Sequence, residues 1–226
     1  MVDCVQREGG MLDKFIGDAM MCAFGVPMTH DDDEDRAVRA AVAMIRNLDA
    51  WNKGRVEGGK FPVEIGIGLN TDVVVSGNIG SKKRMDFTMI GDGVNLAARL
   101  ETACKQYKAR ILVSEYTYKK LRGTYRAREA DRIIVKGKTT PVGVYEILEY
   151  HTPESFPDMM DSLGSFKYAL EKYRAGKWDA AIAAFRDASA YNPKDGLPGV
   201  YIERCEQMKI EPPPGEWDGV WVMKEK

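Results

Sequence analysis

Histidine and cysteine are scarce in this chain, and neither sign of charge is in excess. Cys4, Cys22, Cys104 and Cys205 lie far apart without a Cys-x-x-Cys pair, and only His30 and His151 could join them. Neither a zinc site nor a disulfide framework is encoded, so all four are expected as buried thiols. No stretch approaches about 20 consecutive apolar residues, and the first ten residues lack the charged, apolar, then small order of a cleaved signal. Neither a membrane span nor a leader is therefore predicted. Against 34 Asp plus Glu stand 33 Lys plus Arg, a net charge of −1. Without a basic block, nucleic acid is not an expected partner, and the expected setting is cytoplasmic. The 226 residues exceed one ordinary domain slightly, which predicts one full domain and an appendage.

Apolar runs at 11–16 and 19–24 flank Gly17-Asp18, whose glycine suits a tight hairpin turn. The acidic run 31–35 precedes Ala37, Val38, Ala41, Val42, Ile45 and Leu48, spaced as on an amphipathic helix whose first turn carries negative charge. A solvated helix start is expected there. Strict alternation at Val63, Ile65, Ile67 and Leu69 predicts a half-buried strand turning near 70–72 into Val73, Val74 and Val75. A polar excursion over 77–84 follows, then a strand at 85–90. Gly91-Asp92-Gly93 opens a helix over 94–105 with Leu96, Ala97, Leu100 and Ala103 inward. Short strands at 110–113, 125–128, 132–135 and 142–148 complete an α+β domain over 1–150.

Composition changes at 151–161, where Thr152-Pro153 and Phe156-Pro157 read as a linker. Over 162–210, Tyr168, Ala169, Tyr173, Gly176, Trp178, Ala181, Ile182, Phe185, Ala188 and Pro193 reproduce the later part of a tetratricopeptide pattern, predicting a small all-α helical hairpin. One repeat buries too little by itself and must lean on its neighbour or on a protein partner. The tail 211–226, with three prolines and Trp217 and Trp221, has no periodicity.

Two segments carry chemistry: Leu12-Asp13-Lys14-Phe15-Ile16-Gly17-Asp18-Ala19, and Arg84-Met85-Asp86-Phe87-Thr88-Met89-Ile90-Gly91-Asp92-Gly93-Val94-Asn95-Leu96-Ala97-Ala98-Arg99. Taken singly, Asp18 reads as a turn residue, Lys14 as an exposed strand lysine and Thr88 as an ordinary β-branched residue. Asn95 reads as a cap, and Arg99 as a charge paired with Glu101 or Asp92. With Val135-Lys136-Gly137-Lys138 and Tyr145-Glu146-Ile147, however, the segments resemble, in order and separation, the catalytic domain of class III nucleotide cyclases over about 9–148.

The resemblance implies a ferredoxin-like cyclase sheet with helices packed on it. It also implies a homodimer with two interfacial sites, each turning a nucleoside triphosphate into a 3′,5′-cyclic monophosphate and pyrophosphate with two divalent metals, Mg²⁺ or Mn²⁺. By the same resemblance, Asp18 matches one of two metal-binding aspartates. Lys14 and Thr88 match the pair that reads adenine, a donor for N1 and an acceptor for the amino group. Asn95 and Arg99, four apart on a helix, match the residues that orient ribose and stabilise charge at phosphorus. Lys136 matches the lysine on the terminal phosphates. Guanylate cyclases carry Glu and Cys at the base-reading positions, so ATP is the implied substrate and cyclic nucleotide signalling the implied role.

Two departures from the family stand out. Its first metal aspartate precedes this chain's first residue, so the chain as it stands is expected to be inactive. Asp72 replaces a common glycine after Asn70-Thr71, and backbone strain is expected there. The alternatives are a guanylate cyclase, which Lys14 and Thr88 oppose, and a non-catalytic dimerisation platform whose helical hairpin is the working part.

Overall fold

The computed structural model describes residues 1–134, 141–213, 217, 219 and 220. A short helix α1 (Val2–Arg7) leads into an antiparallel hairpin, β1 (Met11–Ile16) and β2 (Ala19–Ala23), which turns at Gly17 with φ 63°. Glycine is required there because left-handed backbone costs any side chain with a Cβ. Helix α2 (Asp33–Glu57) buries Val38, Ala41, Val42, Ile45 and Leu48, the stripe its periodicity predicts. Its acidic start is not wholly solvated. Asp35 is buried and accepts from the Arg122 and Gly123 amides and the Tyr125 hydroxyl.

The alternating run from Val63 forms strand only at β3 (Ile67–Leu69), because the Asn52 side chain takes both the amide and carbonyl of Val63. The expected strand at 73–75 begins instead at Val75. Most of the expected polar excursion is strand β4 (Val75–Ser81), paired antiparallel with β5 (Arg84–Ile90) in the register Gly77 to Thr88. Backbone pairing makes β4 a strand without an apolar alternation to announce it.

Helix α3 (Asp92–Tyr107), strand β6 (Ile111–Ser114), the single turn α4 (Glu115–Tyr118), β7 (Ala127–Ile133) and β8 (Val142–Ile147) complete the domain. The four-stranded sheet runs β3-β6-β8-β7, with β3 and β6 parallel and the other pairs antiparallel. Both of its faces are covered, not one. Ile111, Val113 and Ile147 pack with Val38 and Ile45 of α2, while Leu112 and Val144 pack with Leu96, Leu100 and Tyr107 of α3. The glycines between the apolar positions explain this. A Cβ on Gly68 would lie 2.3 Å from the Ala97 carbonyl oxygen and the Glu101 amide nitrogen, so only glycine lets α3 approach β3. The two strands expected near 125–128 and 132–135 are the single strand β7 with a bulge between Glu129 and Asp131; Val135 lies outside the described residues.

The expected hairpin is three helices: α5 (Met159–Arg174), which starts inside the expected linker, α6 (Trp178–Tyr191) and α7 (Leu197–Ile210). Phe166, Tyr173, Phe185 and Tyr201 fill their seam, with Phe185 stacked on Tyr201 at 4.9 Å. The same core cluster continues into α3, β7 and β8, so the helices lean on the preceding domain. Buried charges cross the boundary. Arg128 on β7 pairs with Glu146 and with Asp195 at the start of α7. The β7 bulge turns Asp131 inward, where it accepts from Tyr107 and Arg204. Trp217 docks by donating its indole N–H to the Tyr173 carbonyl at 3.0 Å; Trp221 lies outside the described residues. All four cysteines are free, but Cys22 is only half-buried, unlike the other three. Burial pushes the Cys104 and Cys205 thiols up to about 12, so neither ionises near neutrality. Among the described residues no helix is long and apolar enough to cross a membrane.

Candidate functional site

Lys14 and Thr88 come from elements 74 positions apart in sequence, β1 and β5, and meet around Asp13. The Thr88 hydroxyl donates to Asp13 Oδ2 at 2.8 Å, and the Lys14 ammonium lies 3.7 Å from the same oxygen. The Asp13 side chain is 0% exposed, whereas that of Lys14 is 40% exposed and available to a ligand. Leu12 pairs with Cys22 and Lys14 with Met21, which leaves Asp13 as the extra residue of a β-bulge. A regular strand points adjacent side chains to opposite faces; the bulge lets Asp13 and Lys14 converge. Burial raises the Cys22 thiol, and the nearby Asp13 charge raises it further.

Asp18 stands exposed in the β1–β2 turn with no hydrogen bond or ion pair to another described residue. Among the described residues no group of three or more His, Cys, Asp or Glu could hold a metal ion. Asp18 thus offers one hard oxygen donor, and the described residues alone do not complete a cation site.

Helix α3 begins after Gly91, and the Asn95 amide donates to the Gly91 carbonyl. Gly93 is required by the approach of Asp72, whose Cβ would lie 2.5 Å from any Cβ at that position. Asn95 is exposed and is not the cap residue, and no side chain caps this end. Arg99 is half-buried and has no ion pair with Glu101, Asp92 or any other described residue. The ordinary structural roles for these two side chains are therefore not the ones found. Asp72 does not take the strained conformation expected of it: it has no positive φ, and its carboxylate accepts from the Val73 amide at 2.8 Å.

Within the chain, Lys14 and Thr88 are brought together. No hydrogen bond or ion pair joins either of them to Asp18, Asn95 or Arg99. Lys136 lies outside the described residues. The sequence leaves Asp13 ambiguous, with no role assigned, because its signal is the bulge, which only strand pairing reveals. Phe15, Ile16, Val75, Met85, Phe87 and Ile90, on the two hairpins that carry Lys14 and Thr88, are all exposed. A cavity of about 270 Å³ between the sheet domain and the helices, lined by Arg110, Tyr150, His151 and Asp195 among others, contains none of the candidate residues.

The family described as the adenylate and guanylate cyclase catalytic domain matches residues 6–150. The chain is 34% identical over 211 residues to the terminal-differentiation-specific adenylate cyclase of Dictyostelium discoideum, covering 90% of this chain and 10% of that protein. It is 37% identical over 154 residues to an adenylate cyclase of Anabaena cylindrica, covering 65% of this chain and 30% of that protein. The chain therefore spans less than a third of either relative. Among solved structures it is similar to the adenylyl cyclase CyaB from P. aeruginosa, with a TM-score of 0.60 and 35% identity over 66% of this chain and 77% of that one. It is also similar to the guanylyl cyclase Cya2, with a TM-score of 0.57 and 33% identity over 67% and 76%.

Proposed function

Because the chain belongs to the adenylate and guanylate cyclase catalytic-domain family, we propose that it is the catalytic module of an adenylate cyclase, converting ATP to 3′,5′-cyclic AMP and pyrophosphate. The observation that carries the choice of base is the meeting of Lys14 and Thr88 around one buried carboxylate. Adenine presents an acceptor at N1 and a donor at its amino group, whereas guanine presents a donor at N1 and an acceptor at O6. An ammonium that can only donate suits adenine N1 and opposes guanine N1–H. Overall similarity does not make this choice, since an adenylyl and a guanylyl cyclase resemble the chain almost equally.

In the reaction the ribose 3′-oxygen attacks the α-phosphorus, the bond from that phosphorus to the bridging oxygen breaks, pyrophosphate departs and the hydroxyl proton is released. Lys14 and Thr88 hold the base. Asn95 orients the ribose, and Arg99 neutralises charge that grows on the phosphoryl oxygens; its lack of an ion pair among the described residues leaves it free to do so. Lys136 is assigned to the terminal phosphates. Divalent ions, Mg²⁺ or Mn²⁺, supply Lewis acidity at the triphosphate when bound. Asp18 is the one carboxylate assigned to them.

The site is proposed to lie between two copies, Lys14, Thr88 and Asp18 from one facing Asn95 and Arg99 from the other. The exposed apolar side chains on both hairpins support a covered surface there. Retention of this polar set supports catalysis over a non-catalytic platform, as does the burial of the helical seam against the chain's own sheet domain. Displacement of a fluorescent ATP analogue from the purified protein by unlabelled nucleotides tests the assignment. ATP should compete at least about tenfold better than GTP; equal competition would refute the adenine reading.

A further inference from the structure

Asp13 is a fully buried carboxylate on a bulge, and only one of its oxygens is used. Oδ2 accepts from Thr88, while Oδ1 is buried with no hydrogen-bond partner among the described residues. The contrast with Asp35 is informative. That carboxylate, also buried, accepts from three donors and ties the start of α2 to the segment before β7. A carboxylate kept for stability alone is expected to be satisfied in that way, since each unpaired buried oxygen costs free energy. Asp13 sits half-satisfied beside two residues assigned to the base, and the β-bulge at its own position is what puts it there. Bulges of this kind re-aim side chains next to active sites.

The contact has a direction. A carboxylate accepts hydrogen bonds and donates none, so in the 2.8 Å contact the hydrogen belongs to Thr88. A threonine hydroxyl has one hydrogen and two lone pairs. With the hydrogen committed to Asp13, only lone pairs face a ligand. A free threonine would serve either partner by rotating; this one is held as an acceptor. The Lys14 ammonium, 3.7 Å from the same carboxylate, supplies the countercharge and is drawn to the same side of the strand.

We propose that Asp13 is a positioning residue that sets base specificity by fixing the polarity of the Thr88 hydroxyl, so that the site accepts from a 6-amino group and repels a 6-carbonyl group. This rests on the adenine reading above and deepens it. Lys14 alone reads N1; the exocyclic group at position 6 is read by Thr88 only as far as Asp13 holds its hydrogen.

The test measures affinities of the purified chain, as magnesium salts, for ATP, for GTP and for a purine nucleoside triphosphate unsubstituted at position 6. Wild type, Asp13→Asn, Asp13→Ala and Thr88→Ala are compared, with thermal melts to confirm folding. Freeing the Thr88 hydroxyl in Asp13→Ala should narrow the ATP-over-GTP preference about tenfold, the scale of one mispaired buried acceptor. Asp13→Asn should move in the same direction, because its amide can donate to Thr88. Affinity for the 6-unsubstituted analogue, which neither donates nor accepts there, should stay within about twofold. Equal loss for all three nucleotides would mean that Asp13 only supports the strand, and would overturn the proposal. An unchanged ATP-to-GTP ratio in both Asp13 variants, with Thr88→Ala still shifting it, would overturn the role of Asp13 and leave the base reading standing. A ratio that Thr88→Ala also leaves unmoved would sink the base reading, and the role of Asp13 with it.

Discussion

Replacing Arg128 by methionine is the sharpest test of how the helices are fastened to the sheet. The Arg128 guanidinium is 4% exposed. It gives Nε and Nη2 to Glu146 at 2.8 and 2.6 Å, and Nη1 and Nη2 to Asp195 at 2.6 and 2.7 Å. It also lies 4.7 Å over the Phe166 ring. Methionine keeps much of the volume and removes the charge, leaving two carboxylates buried without a counterion. Breaking a buried ion pair from one side costs about 3–5 kcal/mol. For a chain of this length each kcal/mol moves Tm by about 2–4 °C, so the midpoint should fall by roughly 6–20 °C. The pH dependence has a definite sign. Burial already raises the Glu146 pKa, and losing the Arg128 charge, which lowers it, raises it further. A carboxylate whose folded pKa exceeds its unfolded value stabilises at low pH and loses that contribution as pH rises through the folded value. The deficit of Arg128→Met should therefore be smaller at pH 5 than at pH 8, and adding Glu146→Gln and Asp195→Asn should recover part of it. Urea melts at both pH values measure this. A loss below about 1 kcal/mol, or a deficit that shrinks as pH rises, would refute the account of this cluster.

Other outcomes follow from the site and from the linker. Lys14→Glu with Thr88→Cys should weaken ATP binding about a hundredfold on protein shown to be folded by its melt, with a lower Tm as well because buried Asp13 loses both its donor and its countercharge; normal ATP binding would count against the assigned pair. In an active form of the cyclase, mixing Asp18→Asn and Arg99→Ala chains should restore one intact site per heterodimer, read as cyclic AMP formation. No recovery, with mixed dimers confirmed by sedimentation, would favour a site contained in one copy. Burial beside Tyr150 and Phe156, and then the Arg110 charge, push the His151 pKa down to about 4. The unfolded chain protonates this group first as pH falls, so wild-type stability should decline from about pH 6.5 towards 4. His151→Gln should flatten that decline in thermal melts, and an unaltered slope would show that the ring is not the titrating group.

Legibility followed distance along the chain. The β1–β2 hairpin could be read because its signal, Gly17-Asp18 between two apolar runs, is complete within a dozen residues. Helices α2 and α3 were legible from stripes repeating every three or four positions. By contrast, β4 has few apolar residues to alternate and is a strand because β5 lies beside it. Helix α7 escaped notice for a different reason. Its buried face, Leu197, Tyr201, Arg204, Cys205 and Met208, has helical spacing but carries a charge, and the partner that makes Arg204 tolerable is Asp131 on another strand.

The sequence by itself determined which residue types the proposed site draws on: Lys14, Asp18, Thr88, Asn95 and Arg99 stand in two short segments whose spacing resembles one family. Periodicity and turn glycines act over four or five residues, and such local preferences survive in a linear text. Only the tertiary structure decided that Thr88 meets Asp13, that Gly68 opens the way for α3, and that three helices share one core with the sheet. Each of those facts depends on a partner tens of residues away. The carboxylate at position 13 is the same letter whether it faces water or holds a threonine's hydrogen; chain topology and one β-bulge supply the difference.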